Sequence, residues 1–498
     1  MSPLAFLSVF APLIPLGASE SAGNAFVFTN AMSTSHLAVL FNLADRLSDF
    51  DVYDVRWPMV DSVAAYKAPP RFRSIISSRA MERSAQLKRF VDSSGWEAEE
   101  GETLSIFATL SSVLHLILMP CDFEDPILVE RTISTNVSLV DPCSSLCAIA
   151  RIRDLRSRYL FVSPLIEPMG LATLSGGELP ASYATSVFLA KSSYKMTFFD
   201  RFLNFFAHGV FYMMFTSQLS MARRLFGENE LFAPIEPSFV LVNGHRCVDP
   251  PLPRTFARID IGLRSNVVPR RPTEARIDDD LLKFVENPRF RKIVVFSMST
   301  YTSDGEMPLH LREVFARAFS DPRFEEIGFV WRIRRLEDEY QRANIKIVHW
   351  IAQRALFEHP KTSAVISHCG RNSFMEAAQA GISILCVPQT GDQYYQWTSW
   401  ALVSTLHKAE LSVDRLTESL NRLLNDERIE NKAKQVAGML EDDDSLHASP
   451  NAEWWVRYFV RHGDQQLRKF IFPQTTSSLI PYADCAALFV IVLALVGN

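Results

Sequence analysis

The residues best suited to chemistry lie in one stretch, Ala364–Gln393, AVISHCGRNSFMEAAQAGISILCVPQTGDQ. An apolar strand runs into His368-Cys369-Gly370, a helix is predicted from Asn372-Ser373 to Gly381, and the following strand stops at Pro388 before a loop with Gly391-Asp392-Gln393. Gly370 permits a tight turn. The first N–H groups of the new helix lack partners within it, and with the helix dipole they form an anion site. The side chains of His368, Asn372 and Ser373 add donors suited to a diphosphate. Two plainer readings stand beside this one. Ser373 and Glu376 fit a capping box that only starts the helix, and His368 fits a hydrogen-bonded histidine at a strand end. A strand–glycine–helix turn by itself is a weak pointer to phosphate.

To present that turn at a sheet edge, the chain needs parallel strands alternating with helices. The second half has short apolar runs at Ile293–Ser297, Phe329–Ile333, Ile345–Trp350, Ala364–Ser367 and Ser383–Val387, separated by helical periods. The first half repeats the pattern, with strands at Ala25–Thr29, Val52–Val55, Val137–Val140 and Tyr159–Val162. Between the first two, a helix starts near Ser35 and His36 and carries Leu37, Val39, Leu40, Leu43 and Leu47. Residues 248–285 are rich in Pro, Arg and Asp, which places a linker over 251–285. The predicted fold class is therefore α/β, with two Rossmann-like domains over 23–250 and 286–445 facing across a cleft. Such sheets bind ligands outside the carboxyl ends of their strands. The Phe- and Met-rich stretch Met196–Phe215 reads as a buried helix or the wall of an apolar pocket.

The 364–393 block resembles the donor-binding signature of the UDP-glycosyltransferases, specifically the animal, nematode-like UDP-glucuronosyltransferase branch. That signature runs THGG-x-NS-x-x-E-A-x-x-x-G-(x)-P-x-x-GDQ, against SHCGRNSFMEAAQAG and VPQTGDQ here. The resemblance extends to His349-Trp350-Ile351-Ala352-Gln353 with His359-Pro360, and to Phe296-Ser297-Met298-Ser299-Thr300, similar to the family's FS-x-GS loop. It also takes in Leu416–Glu430 and the run with Met196-Thr197 and Arg201-Phe202-Leu203-Asn204. It implies a GT-B arrangement in which helices over 446–481 pack back toward the first domain. Trp350 would then stack on uracil and Gln353 bond its edge, while Glu376 accepts from the ribose hydroxyls. His368, Gly370, Asn372 and Ser373 would hold the diphosphate, Ser297 and Thr300 would approach from the facing loop, and Asp392 and Gln393 would grip the sugar.

The resemblance also implies a base in Ser35-His36 and its partner acid in Asp141-Pro142, both at carboxyl ends of predicted strands. Sugar transfer needs a group to take the nucleophile's proton. Imidazole does so near neutral pH, and a carboxylate behind it fixes the tautomer and stabilises the imidazolium. The leaving diphosphate would be held by the Gly370 turn and helix N-terminus, so no metal and no other cofactor is expected. Attack from the face opposite UDP predicts inversion. The expected activity is transfer of glucuronate or glucose from a UDP-sugar to a hydroxyl or similar nucleophile of a small lipophilic acceptor.

Three positions depart from the family pattern: Cys369 for a glycine of HGG, Ser299 for the glycine of FS-x-GS, and Ala352 for a proline. Cys369 puts a side chain where backbone is to approach phosphate. A second expectation is therefore a catalytically impaired lumenal protein that binds a UDP-sugar or a lipophile. A nicotinamide dehydrogenase is disfavoured, because neither sheet opens with G-x-G-x-x-G.

Composition narrows the partners. With 51 basic and 56 acidic residues the net charge is −5, so there is no basic excess for a nucleic acid to meet. At 48% apolar and 21% charged, the 498 residues exclude a mostly disordered or polytopic membrane chain. Leu4–Leu16 is apolar and followed by small residues, which reads as a signal peptide over 1–22. The apolar end, 482–498, is shorter than the roughly 20 residues of a spanning helix and reads as a short or truncated membrane anchor, or a peripheral tail. These ends place the chain in the endoplasmic reticulum lumen or membrane, and association into a homo-oligomer is left open. The seven cysteines form neither a disulfide framework nor a zinc pattern, and their pairing is not readable. The sequon at Asn136 opens an apparent core strand and is not expected to be glycosylated.

Overall fold

The computed structural model describes residues 23–29, 34–56, 67–76, 135–142, 158–164, 172, 174–177, 184, 186, 196–210, 239–249, 254–262, 276–298, 307–333, 338–389, 393, 403–446 and 452–467. The expected signal peptide and apolar tail lie outside these residues. Among the described residues, no helix is long and apolar enough to cross a membrane.

Two all-parallel sheets carry the fold. The first contains β1 (Gly23–Thr29), β2 (Phe50–Arg56), β3 (Arg73–Ile76), β4 (Val137–Val140), β5 (Tyr159–Ser163), β6 (Val240–Val242) and β7 (Arg258–Asp260), in the order β3-β2-β1-β4-β5-β6-β7. Helix α1 (Thr34–Arg46) joins β1 to β2 and buries Leu37, Leu40, Leu43 and Ala44 against the sheet, with Leu47 just beyond its end. Every residue of β4 and of β6 is buried, as expected where helices cover both faces of a parallel sheet. Strand order reverses between β1 and β4. That is the switch point at which the two crossovers leave in opposite directions and open a crevice.

The second sheet repeats this logic. Its strands β8 (Lys292–Ser297), β9 (Ile327–Arg332), β10 (Ile345–Val348), β11 (Thr362–Ser367), β12 (Ser383–Cys386) and β13 (Val403–Thr405) run in the order β10-β9-β8-β11-β12-β13, so the switch lies between β8 and β11. On one face, Phe296, Phe329 and Trp331 pack with Phe315 and Phe319 of α3 (Leu309–Phe319) and Leu420 of α6 (Val413–Asn425). Side chains alternate along each strand. Ile293, Val295, Val330 and Val365 therefore face the other way, with Phe374 and Met375 of α5 (Arg371–Ala380) and Val436 and Leu440 of α7 (Glu427–Leu446).

The stretch expected as a linker, 251–285, carries two ordered elements. β7 completes the first sheet, and α2 (Asp279–Val285) packs Leu281 and Val285 into the second domain's core. Polar and proline-rich composition marks the join but hides these short elements, whose apolar residues are too few to show a period. The strands β3, β6 and β13 are likewise too short to stand out in the sequence. The Phe-rich stretch is helical over 198–210, yet Phe198 and Phe199 are exposed while Asp200, Asn204 and His208 are buried. The polar face turns inward because Asn204 donates to the Ala184 carbonyl and accepts from the Ser186 N–H, and His208 Nε2 also reaches the Ala184 carbonyl at 2.8 Å. This corrects the expectation of a buried apolar helix.

Helix α8 (Ala452–Leu467) returns to the first domain, where Ala452, Val456 and Phe459 enter its core. Arg457 pairs with Asp49 and Arg46 with Glu453 across the same contact. Phe459→Ala is expected to cost about 3–5 kcal/mol in chemical denaturation, whereas Asp49→Ala, which removes a partly exposed pair, should cost under about 1 kcal/mol.

Candidate active site

The turn between β11 and α5 sits at the second sheet's switch point. Gly370 is the N-cap of α5 and has no side chain to cap it, so the cap itself satisfies none of the helix's first N–H groups. Helix α5 therefore starts at Arg371, and the capping-box reading fails. Ser373 lies inside the first turn, where its Oγ accepts from Gln353 Nε2 at 3.0 Å. Gly370 has an ordinary φ of −60°, so conformation does not require a glycine there. A Cβ there would lie 2.3 Å from His368 Nε2, so a larger residue would require the imidazole to move. The His368 imidazole thus folds over the start of the helix. Burial and the nearby charge of Arg332 hold its pKa down at about 4, which keeps it neutral near pH 7.

Cys369 is fully buried with φ 60°, a left-handed conformation that costs an L-residue roughly 1–2 kcal/mol. Its side chain points into the core and forms a disulfide with Cys386 at the end of β12, with Cα atoms 5.4 Å apart. The expectation that Cys369 obstructs a phosphate is therefore corrected, because its side chain is committed to the core. Ala352 precedes α4 (Gln353–Phe357) with φ −74°, within the range a proline would impose, so the backbone path there needs no proline.

Around this turn the structure gathers most of the residues singled out in the second half. Trp350 follows β10 and is 54% exposed, so core packing is not its role, and the Arg332 guanidinium lies 5.8 Å from its ring centre. Gln353 Nε2 donates to Glu376 Oε2 at 2.6 Å, which ties Gln353, Ser373 and Glu376 into one polar cluster. Ser297 ends β8 opposite Ser367 in register. Gln393 Oε1 accepts from the Gln389 N–H at 2.8 Å and so braces its own loop. Thr300 and Asp392 lie outside the described residues, as does Ser299.

The first domain brings its own pair to its own switch point. His36 stands in the first turn of α1 and Asp141 directly after β4, with His36 Nδ1 2.7 Å from Asp141 Oδ2. Asp141 is fully buried and His36 is 16% exposed. With the carboxylate holding a proton on Nδ1, Nε2 keeps its lone pair and can act as a base. The two switch points touch: Asn372 Nδ2 donates to the Ser35 carbonyl at 3.3 Å.

Three residues at this junction escape a reading of the sequence. Asn243, after β6, donates to Asn372 Oδ1 at 2.8 Å. Arg371 donates through Nε to the Asn243 carbonyl at 2.7 Å, and its Nη2 lies 2.6 Å from Asp249 Oδ1. The available signal is Arg371 itself, since a cation in a helix's first turn opposes the dipole and needs an acidic partner elsewhere. Among the described residues, the one group with metal-ligand spacing is His245, Cys247 and Asp443. Arg246 engages that carboxylate and the Cys247 N–H points at His245 Nδ1, so the group reads as an ion pair.

Two Rossmann-like sheets that meet at their switch points define the GT-B class of sugar-transferring proteins. Residues 71–472 match the family described as UDP-glucoronosyl and UDP-glucosyl transferase, and the chain belongs to that family. It is 23% identical over 350 residues to UDP-glycosyltransferase UGT5 of Dactylopius coccus, covering 67% of this chain and 64% of that protein. It is 24% identical over 344 residues to UDP-glucuronosyltransferase 2B14 of Oryctolagus cuniculus, covering 66% and 61%. The matches to these two relatives thus span less than two thirds of each relative's length. Among solved structures it resembles Os79 from O. sativa in complex with U2F and trichothecene, with a TM-score of 0.56 at 14% identity over 88% of this chain and 99% of that one. It also resembles a UDP-glucose:anthocyanidin 3-O-glucosyltransferase in complex with UDP, at 0.53 and 16% over 88% and 98%. At these identities the likeness is one of fold.

The depressed pKa of His368 sets a pH dependence. Above pH 6.5 the ring is neutral in both the folded and the unfolded chain. Between 6.5 and about 4 the unfolded chain takes a proton that the folded one refuses, so stability should fall as pH falls through this window. Denaturation at stepped pH is expected to show this slope, and His368→Gln should flatten it.

Proposed function

We propose that the chain is an inverting glycosyltransferase that moves glucuronate or glucose from a UDP-sugar to a hydroxyl or similar nucleophile of a small lipophilic acceptor. The observation that carries the proposal is the 2.7 Å contact between His36 and buried Asp141, one residue from the Ser35 carbonyl that Asn372 reaches from the uncapped start of α5. A base and an anion site on opposite domains, adjacent in space, are what displacement at a sugar phosphate requires.

On this reading Trp350 is the platform for uracil, Gln353 meets its edge and Glu376 accepts from the ribose. Ser297 and Thr300 approach the diphosphate, and Asp392 and Gln393 the sugar. His36 Nε2 takes the acceptor's proton as its oxygen attacks the anomeric carbon, and Asp141 stabilises the imidazolium. The bond to the UDP oxygen breaks on the opposite face. Charge developing on the diphosphate is met by the first N–H groups of α5, by one N–H of neutral His368 and by the Asn372 amide. A metal is not needed for this step. We extend the proposal to an acceptor-binding first domain, a UDP-sugar-binding second one and residence in the endoplasmic reticulum, reached by a signal at 1–22 and held by the apolar end at 482–498.

UDP release measured with a phenolic acceptor tests the reading. His36→Ala is expected to lower kcat about 10²–10⁴-fold with UDP affinity unchanged, and equal turnover in both proteins would remove His36 as the base. Trp350→Ala should abolish most of the rise in melting temperature that UDP gives the wild type, because binding to the folded state alone is what raises it.

A further inference from the structure

We infer that Arg371 is a positioning residue that latches the donor-binding turn to the catalytic side of the cleft, an inference that rests on the reading above. Arg371 is the first residue of α5, in the second domain, and is almost wholly buried. Both of its partners belong to the turn after β6: its Nε donates to the Asn243 carbonyl at 2.7 Å, and its Nη2 forms an ion pair with Asp249 Oδ1 at 2.6 Å. Asp249 is as deeply buried, and it also accepts the His245 N–H at 2.9 Å. Arg258 and Arg254 lie 3.6 and 3.8 Å from the same carboxylate. Gly244 lets Asp249 curl back over the turn, since a Cβ there would lie 2.7 Å from Asp249 Oδ2.

The consequence reaches the catalytic pair through Asn243. Its side-chain amide donates to Asn372 Oδ1 and to the Pro164 carbonyl, at 2.8 and 3.1 Å. With its oxygen so engaged, Asn372 directs its own Nδ2 at the Ser35 carbonyl, beside His36. Arg371 thus fixes the distance between the diphosphate turn and the base without touching either reactant. A guanidinium suits the task because from one rigid plane it donates to the carbonyl through Nε and sets Nη2 against the carboxylate, which an ammonium cannot do.

The experiment compares wild type, Arg371→Met and Arg371→Lys, each first checked for folding by its melting temperature. Loss of the latch should leave the donor site, built within the second domain, able to bind. Calorimetric UDP affinity should therefore stay within about threefold while kcat for transfer falls about 10–100-fold, the scale expected of a misplaced reactant. The share of UDP-sugar lost to water should rise as the cleft loosens, and Arg371→Lys should recover part of the transfer. Parallel loss of UDP affinity and kcat would overturn the inference, as would no change in either. Amide exchange separates this from a failure of the proposed function. Should the wild type bind UDP yet transfer nothing, the function fails, and faster exchange over residues 34–40 in Arg371→Met, with β8 and β11 unchanged, would still uphold the latch. Unaltered exchange there would refute it.

Discussion

A carboxamide bridges the two halves of this molecule. Asn372 stands at the start of α5, accepts from Asn243 and donates to the carbonyl of Ser35, so the Gly370 turn of one sheet abuts the His36 turn of the other. Neither turn is useful alone. A parallel sheet opens one crevice at its switch point, and a transfer between two substrates needs two such crevices face to face. Here the facing is fixed by hydrogen bonds between side chain and backbone at the carboxyl edges themselves.

Beside that bridge, Arg371 is the first residue of α5. A cation at a helix's first position is unfavourable against the dipole, yet Arg371 turns sideways and lies 2.6 Å from the buried carboxyl of Asp249. A buried ion pair of this kind contributes little net stability, because desolvation offsets most of the attraction. Its worth lies in geometry, since an arginine held at two points defines a direction as well as a distance. His368 adds a group that is polar but uncharged, its ring set against Gly370.

Departures from a familiar motif can be judged only by where the backbone and side chain go. Cys369 adopts a left-handed turn and sends its sulfur to Cys386 in the core. Ala352 keeps a proline-like φ.

Local physics makes much of this legible beforehand. Apolar strands alternating with helical periods announce two parallel sheets, because a strand buried on both faces must be apolar throughout. A glycine between strand and helix marks the turn at 368–372, whereas Ser35-His36 and Asp141-Pro142 are singled out by the resemblance to the UDP-glycosyltransferases. Contacts between residues far apart along the chain are beyond such reasoning. Ser35 and Asn372 are 337 positions apart, and His36 and Asp141 105, so their meeting depends on how whole sheets dock. The same holds for the Cys369–Cys386 pairing, for β7 inside an apparent linker, and for the inward polar face of the 198–210 helix. Side-chain pattern determines which elements form. Only the packing of those elements against one another decides which buried polar groups find partners, and hence which residues face the cleft.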